Sequence, residues 1–243
     1  MPNFVELWVY LSSTPLFGLT ATLAGYVLAH AVYTHFHQAP WANPVLWTVV
    51  TIASCLMITG VSYPTYFSGA QFIHFLLGPA VVALAWPLWQ RRIELRARWQ
   101  PLLVAAILGG AAAAGSAWLL GTLFMLPAEV VLSLTTKSVT APVAMGLAEK
   151  IGGIPALAAV FAVLTGIFGA LAGKYLFDFL RISTAPGGWV ARGFALGTVS
   201  HGLGAARAMQ VNADAGAYAG LALGLQTVLA ALLIPLAIGL IPG

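Results

Sequence analysis

Charge is what this sequence has least of. Lysine, arginine, aspartate and glutamate make up 7% of 243 residues, against ~25% in soluble globular chains. Between Trp99 and Glu129 there is no charged residue, and before Arg91 only Glu6 carries a formal charge. A water-facing surface cannot be assembled from so few charges, and with 60% apolar residues the chain reads as an integral membrane protein. Cysteine is nearly absent as well: Cys55 stands alone inside an apolar run, which excludes a disulfide framework and a cysteine metal site. The alternation over ~10 residues that marks a membrane β-barrel strand is missing, and long unbroken apolar runs stand in its place. No basic region precedes the first of them, so no secretory signal peptide is expected.

What is present is helical length. A crossing helix needs ~20 apolar residues, so the chain has room for seven or eight spans and no independent soluble domain. The expectation is one all-α polytopic membrane domain over residues 1–243. Apolar runs predict spans over Pro15 to about Tyr33, Pro44 to about Thr59, Phe67 to Gln90 and Pro101 to about Met125, then Pro127 to Ile151, Ile154 to about Leu180, Val190 to Met209 and Tyr218 to Ile241. The net charge of +4 is concentrated at Arg91, Arg92, Arg96 and Arg98. Lying between two apolar segments, that cluster is a cytoplasmic topology anchor by the positive-inside rule, and no nucleic-acid partner is expected. His35 and His37, two residues apart with no carboxylate near, fit interfacial loop histidines better than a metal pair, whose helical spacing is three or four. No metal, cofactor or enzymatic activity is expected.

Three of these segments carry interruptions. Gly78 and Pro79 fall near the middle of the third, where proline removes a backbone donor and clashes with the preceding turn. The fifth runs Leu134-Thr135-Thr136-Lys137-Ser138-Val139-Thr140-Ala141-Pro142, which places an ionisable side chain near the midplane at a cost of at least ~2.5 kcal/mol. Pro142 cannot continue a helix through Lys137 but is suited to begin one. The seventh is broken at Thr198-Val199-Ser200-His201-Gly202-Leu203-Gly204, with Arg207 beyond. The fourth, with Gly109, Gly110 and Gly115 among alanines, is small enough in section to pack closely inside a bundle.

Discontinuous helices of this kind build midplane sites in secondary transporters, often across inverted repeats. Gly78-Pro79-Ala80-Val81 against Ala141-Pro142-Val143-Ala144 is a weak trace of such a repeat. Helix N-termini present free N–H groups and positive partial charge to anions. Half-helices starting at Pro142 and near Leu203 would therefore face an anion, Lys137 adding a full charge and Ser138, Thr140, Thr198 and Ser200 hydroxyls, with Arg207 leaning back toward the break. Gly202 and Gly204, with Gly78, Pro79 and Pro142, are the hinge positions, and His201 is the candidate proton carrier because its unperturbed pKa of ~6.5 lies near physiological pH. The structural alternatives stay open: Lys137 snorkelling or bonding freed carbonyls, hydroxyls that only satisfy broken backbone, His201 as a packed polar residue, Arg207 as an interface anchor. Glu129 fits a first-turn carboxylate and needs no transport role.

At these residues the chain resembles the LrgB/CidB family, whose bacterial members are described as antiholin-like or murein hydrolase exporter proteins and whose domain recurs in the plastidic glycolate/glycerate translocator. The resemblance covers the chain from about Asn43 and is densest in three stretches: KSVTAPVAM at Lys137–Met145, IGGIPALAAVFAVLTGIFGA at Ile151–Ala170, and ARGFALGTVSHGLGAARAM at Ala191–Met209. The common family form has threonine or serine where this chain has Ala141 and threonine where it has Ala205, so two hydroxyl contacts are missing. The resemblance implies transport of small monocarboxylates such as glycolate, glycerate, pyruvate or lactate at a bacterial inner membrane, with alternating access between the lipid bilayer's two faces. The partner it implies is a small LrgA-type membrane protein; a homo-oligomer such as a dimer is a further expectation that the resemblance does not supply. The other function attached to the family, a holin-like or antiholin-like protein controlling murein hydrolase activity and autolysis, is the alternative.

Overall fold

Long apolar segments punctuated by proline and asparagine give an all-helical chain among the described residues. The computed structural model describes residues 15–76, 79, 85–90 and 92–240. Two compact units divide the chain, residues 1–83 and 84–243. The Gly78-Pro79-Ala80-Val81 stretch, one half of the expected repeat, lies outside the described residues except for Pro79.

The first unit holds α1 (Pro15–His35), a 3-10 turn (Pro40–Ala42), α2 (Pro44–Thr59) and α3 (Tyr63–Phe75). Asn43 starts α2 by accepting from the N–H groups of Val45 at 2.9 Å and Leu46 at 3.2 Å, and Gly60 ends it at φ +69°. A Thr22–Tyr66 hydroxyl pair at 2.7 Å joins α1 to α3.

The second unit holds α4 (Ala85–Gln90), α5 (Arg92–Ala97), α6 (Trp99–Leu123), α7 (Ala128–Thr135), α8 (Ala141–Ile151), α9 (Pro155–Phe179), α10 (Pro186–Val211) and α11 (Ala213–Gly239). Arg92 lies over the Trp89 ring at 4.7 Å, and Trp86, Trp89 and Trp99 are exposed, the aromatic and basic mixture of a membrane–water boundary. On α6, Ala106, Gly110, Ala113, Ala117 and Gly121 are buried, a single helical face of small residues as the sequence predicts. Among the described residues four helices are long and apolar enough to cross a membrane, where seven or eight spans were expected: α1 from Leu16, α6, α9 and α11. Between 11% and 28% of the residues in each of these spans are buried, so most of their apolar surface faces outward, which suits lipid rather than water. The protein is a multi-pass membrane protein.

The two interrupted segments of this unit are not kinked through-helices. The chain turns back at both. In a continuous helix Ser133 and Ile154 would stand ~30 Å apart, yet Ile154 N–H donates to Ser133 Oγ at 2.7 Å, so α8 returns beside α7. Residues 193–211 would likewise span ~27 Å as one helix. Instead, a Cβ on Gly193 would meet the Ala215 carbonyl at 2.1 Å, and one on Gly204 the Leu196 carbonyl at 2.5 Å, which requires the second limb of α10 to lie back along the first. The reversal is made by Ser200 (φ −111°, ψ 15°) and His201 (φ 40°, ψ −131°). The half-helices expected at the two breaks are thus the limbs of two helical hairpins, with tips at residues 136–140 and 200–202.

Candidate functional site: the hairpin tips

Helix α9 carries both tips. Along one face Ala158 and Ala162 pack in a buried cluster with Val139, Ala144, Leu147 and Ala148 of the first hairpin and Ala230 of α11. Along another, its glycines let the second hairpin approach. A Cβ on Gly169 would fall 1.6 Å from Ser200 Oγ, and one on Gly166 2.9 Å from the His201 ring. Both hairpins thus pack on the middle of α9, which runs from Pro155 to Phe179, the first on the face of Ala158 and Ala162 and the second tip between Ala162 and Gly169.

Local chemistry explains each reversal. In the first tip, three i→i+3 backbone bonds (Thr136 to Ser133, Lys137 to Leu134, Val139 to Thr136) tighten the chain, and the Thr135 and Thr136 hydroxyls donate to the Leu132 and Ser133 carbonyls at 2.6 and 2.8 Å. Thr140 then opens α8 in extended conformation, with Pro142 in the first turn and no side-chain cap, so the helix N-terminus keeps its free N–H groups for another acceptor. Lys137 is half-buried and, among the described residues, in no ion pair; its ammonium donates to Ser138 Oγ at 3.3 Å. Ser138 and Val139 are buried.

In the second tip, His201 Nε2 lies 2.8 Å from the Ala162 carbonyl oxygen. A carbonyl has no proton to give, so Nε2 carries the hydrogen, and in the neutral ring Nδ1 is left as an acceptor. Thr198 donates to the Phe194 carbonyl at 2.9 Å and its methyl faces Gly109 of α6, where a Cβ would come within 3.0 Å. Ser200 and His201 are buried, as is Arg207, six residues further along the returning limb. Gly202 is open, with nothing within 4 Å of where a Cβ would stand, whereas Gly204 is pressed on Leu196. The structure thus gathers Lys137, Ser138 and Thr140 at one tip and Thr198, Ser200 and His201 at the other, both backed by α9, with the start of α8 among them.

Two parts of this arrangement are not legible as sequence. One is the Ala162 carbonyl, which no side-chain pattern marks. The other is a clamp at the base of the second hairpin: buried Arg192 donates to Asp178 at 2.8 Å and to the Ile182 carbonyl at 3.1 Å, while Asp178 also accepts from Lys174 at 2.8 Å. The only sequence signal for it is a Lys–Asp pair four apart at a span's end. Glu129 lies in the first turn of α7 as expected. Among the described residues no group of three or more His, Cys, Asp or Glu is assembled for a metal.

The LrgB-like family model matches residues 22–240, which takes in both hairpins and α9. This chain belongs to the LrgB-like family. A Bacillus subtilis protein, YxaC, is 35% identical over 189 residues, 78% of this chain and 80% of its own length. A Staphylococcus epidermidis protein that carries the name holin-like protein CidB is 28% identical over 231 residues, 94% of this chain and 97% of its own. The Staphylococcus aureus protein of the same name is 28% identical over 199 residues, covering 82% and 85%. No solved structure matches the chain.

Proposed function

We propose that the protein is a holin-like protein of a bacterial inner membrane that lets small solutes pass between the two hairpin tips that α9 carries. The observation that carries the holin-like reading is the match, over nearly the full length of both chains, to relatives bearing that name. Its physiological output would be control of murein hydrolase activity and autolysis, with a small LrgA-type membrane protein and a second copy of the chain as the partners to test.

The proposed membrane placement follows the chain. Helix α6 crosses from the face of Arg92, Arg96 and Arg98, the α7–α8 hairpin enters and leaves at the far face, and α9 crosses back. The α10 hairpin enters from the first face and α11 crosses last. Eight simple crossings would set Arg181 and Arg192 opposite the Arg91–Arg98 cluster; a re-entrant first hairpin returns them to the same side, in keeping with the positive-inside rule. Tips entering from opposite faces and both packed on the middle of α9 would leave only a thin barrier between the two waters.

A second reading, favoured by the tip geometry, is a secondary carrier of small monocarboxylates of the glycolate, glycerate, pyruvate or lactate type. An uncapped helix start and an ammonium in no ion pair at a midplane reversal are suited to a carboxylate. Proteoliposomes containing only this chain separate the two. Release of entrapped dye that rises without saturation and falls with dye size is the holin-like outcome. Saturable uptake of labelled glycolate, pyruvate or lactate with dye retained is the carrier outcome, and Lys137→Gln should then abolish uptake while leaving the folded protein intact, since only the point charge is removed.

A further inference from the structure

The stretch from α4 into the start of α6 holds the densest charge in the chain. Four of the seven arginines fall at residues 91–98, with no lysine and a single acid, Glu94. Arg92, Arg96 and Arg98 are exposed there, and Trp86, Trp89, Ile93 and Trp99 are exposed among them. Arg92 is held by its own turn: its guanidinium lies over the Trp89 ring at 4.7 Å, and Nη1 donates to the Trp89 carbonyl at 3.0 Å. A guanidinium has several more N–H groups to give, and among the described residues neither Arg92 nor Arg96 is in an ion pair. The two stand one turn apart on α5, so their side chains leave the same helix face with Cβ atoms about 6 Å apart.

We propose that this patch is a binding site for the phosphate group of an anionic phospholipid. A topology anchor needs only the sum of these charges, whereas a site needs their placement. Charge selects an anion. The apolar side chains select its source: three exposed tryptophans and an isoleucine 78% exposed would gain nothing from a hydrated ion, but they suit the glycerol and upper acyl region that lies directly beneath a lipid phosphate. Arginine selects the group, because its planar fork pairs two N–H donors with two phosphate oxygens, where lysine offers only a point charge. The Trp89 stack keeps the Arg92 fork in one orientation, so less side-chain freedom is lost when the phosphate docks. Arg96, one turn further on, is close enough to add a second fork. The patch lies outside the hairpin tips and uses none of their residues.

The test uses the intact protein in phosphatidylcholine proteoliposomes doped with a trace of photoactivatable phosphatidylglycerol or, in parallel, photoactivatable phosphatidylcholine with the same acyl chains. Labelled residues are mapped by mass spectrometry. Phosphatidylglycerol should label Trp86–Trp99 roughly tenfold more than phosphatidylcholine does, and the two should label the rest of the lipid-facing surface alike. Arg92→Gln with Arg96→Gln should erase that preference. Arg92→Lys with Arg96→Lys, which keeps the charge and loses the forks, should erase most of it. Arg181→Gln, which removes one charge from an exposed position outside the patch, should leave it unchanged. All three positions are exposed, so an unaltered thermal midpoint is expected in each variant. The proposal is overturned if the double lysine variant labels like the wild type or if Arg181→Gln loses as much as the double glutamine variant, since net charge alone then draws the lipid. It is equally overturned if millimolar glycerol 1-phosphate in the water abolishes the preference, which would make the ligand a free phosphate ester. None of these outcomes depends on whether the protein is holin-like or a carrier.

Discussion

His201 stands at φ 40° and ψ −131°, a backbone region glycine enters freely and a ring-bearing residue does not, at a cost of roughly 1 to 3 kcal/mol. A glycine is next door at 202, yet the corner falls on the histidine, whose Nε2 hydrogen holds the Ala162 carbonyl. Strain kept at a polar reversal suits a residue with a task. If that task is proton coupling, a bound carboxylate favours the protonated ring and the protonated ring favours the carboxylate, by reciprocity. Uptake affinity should then fall as pH rises through the histidine's titration, and His201→Gln should flatten that profile while keeping some affinity through Lys137. An unchanged profile would move the coupling group elsewhere, with Glu129 and Asp214 next to test. Gly169 gives a stability prediction at the same corner. Its missing Cβ is replaced in space by Ser200 Oγ, 1.6 Å from where that carbon would stand, so Gly169→Ala should cost about 1 to 3 kcal/mol by overpacking, read as a lowered thermal midpoint. Gly169→Ala combined with Ser200→Gly should recover most of that loss.

At the scale of elements, each hairpin is fastened to an end of α9. Ser133 Oγ of the first accepts from the N–H of Ile154, which precedes α9, and Arg192 of the second pairs with Asp178 near the end of α9. With both hairpins tied to one helix, alternating exposure should show at both tips together. Single cysteines at Ser138 and Ser200, in a Cys55→Ser background, should change their reactivity toward an impermeant thiol reagent in concert when a transported anion is added. Tips that never become reachable from either face would end the idea of a path there.

For the whole molecule, re-entrant hairpins change which loops share a face. Cysteines placed at Ala97 and Ser183, both exposed, should be labelled from one side of the membrane, and one at Met125, 91% exposed, from the other. Eight simple crossings predict Ser183 with Met125 instead, so one labelling experiment on oriented vesicles decides between the topologies.

Membership of the membrane class and several helix boundaries were determined by the sequence alone, because transfer of a segment into hydrocarbon is a sum over its own residues; the segment expected over Phe67–Gln90 is an exception, with helices at Tyr63–Phe75 and Ala85–Gln90. Pro44–Thr59 is found where apolar length and proline set it, and α6, α9 and α11 end within a few residues of their predicted limits, α11 starting five residues early at its Asn212 cap. Both breaks were also local, since Pro142 and the glycine-flanked Ser200-His201 pair cannot extend a helix evenly. Their direction was not. Whether a broken helix goes on across the bilayer or folds back depends on two backbone torsions at 200 and 201 and on contacts between residues 20 or so apart, such as Ser133 with Ile154, which no hydropathy window contains. For the same reason Gln226 reads in sequence only as one of two adjacent polar residues, with Thr227, in an apolar span; that its amide is pressed on Gly110 is a property of how α6 packs against it.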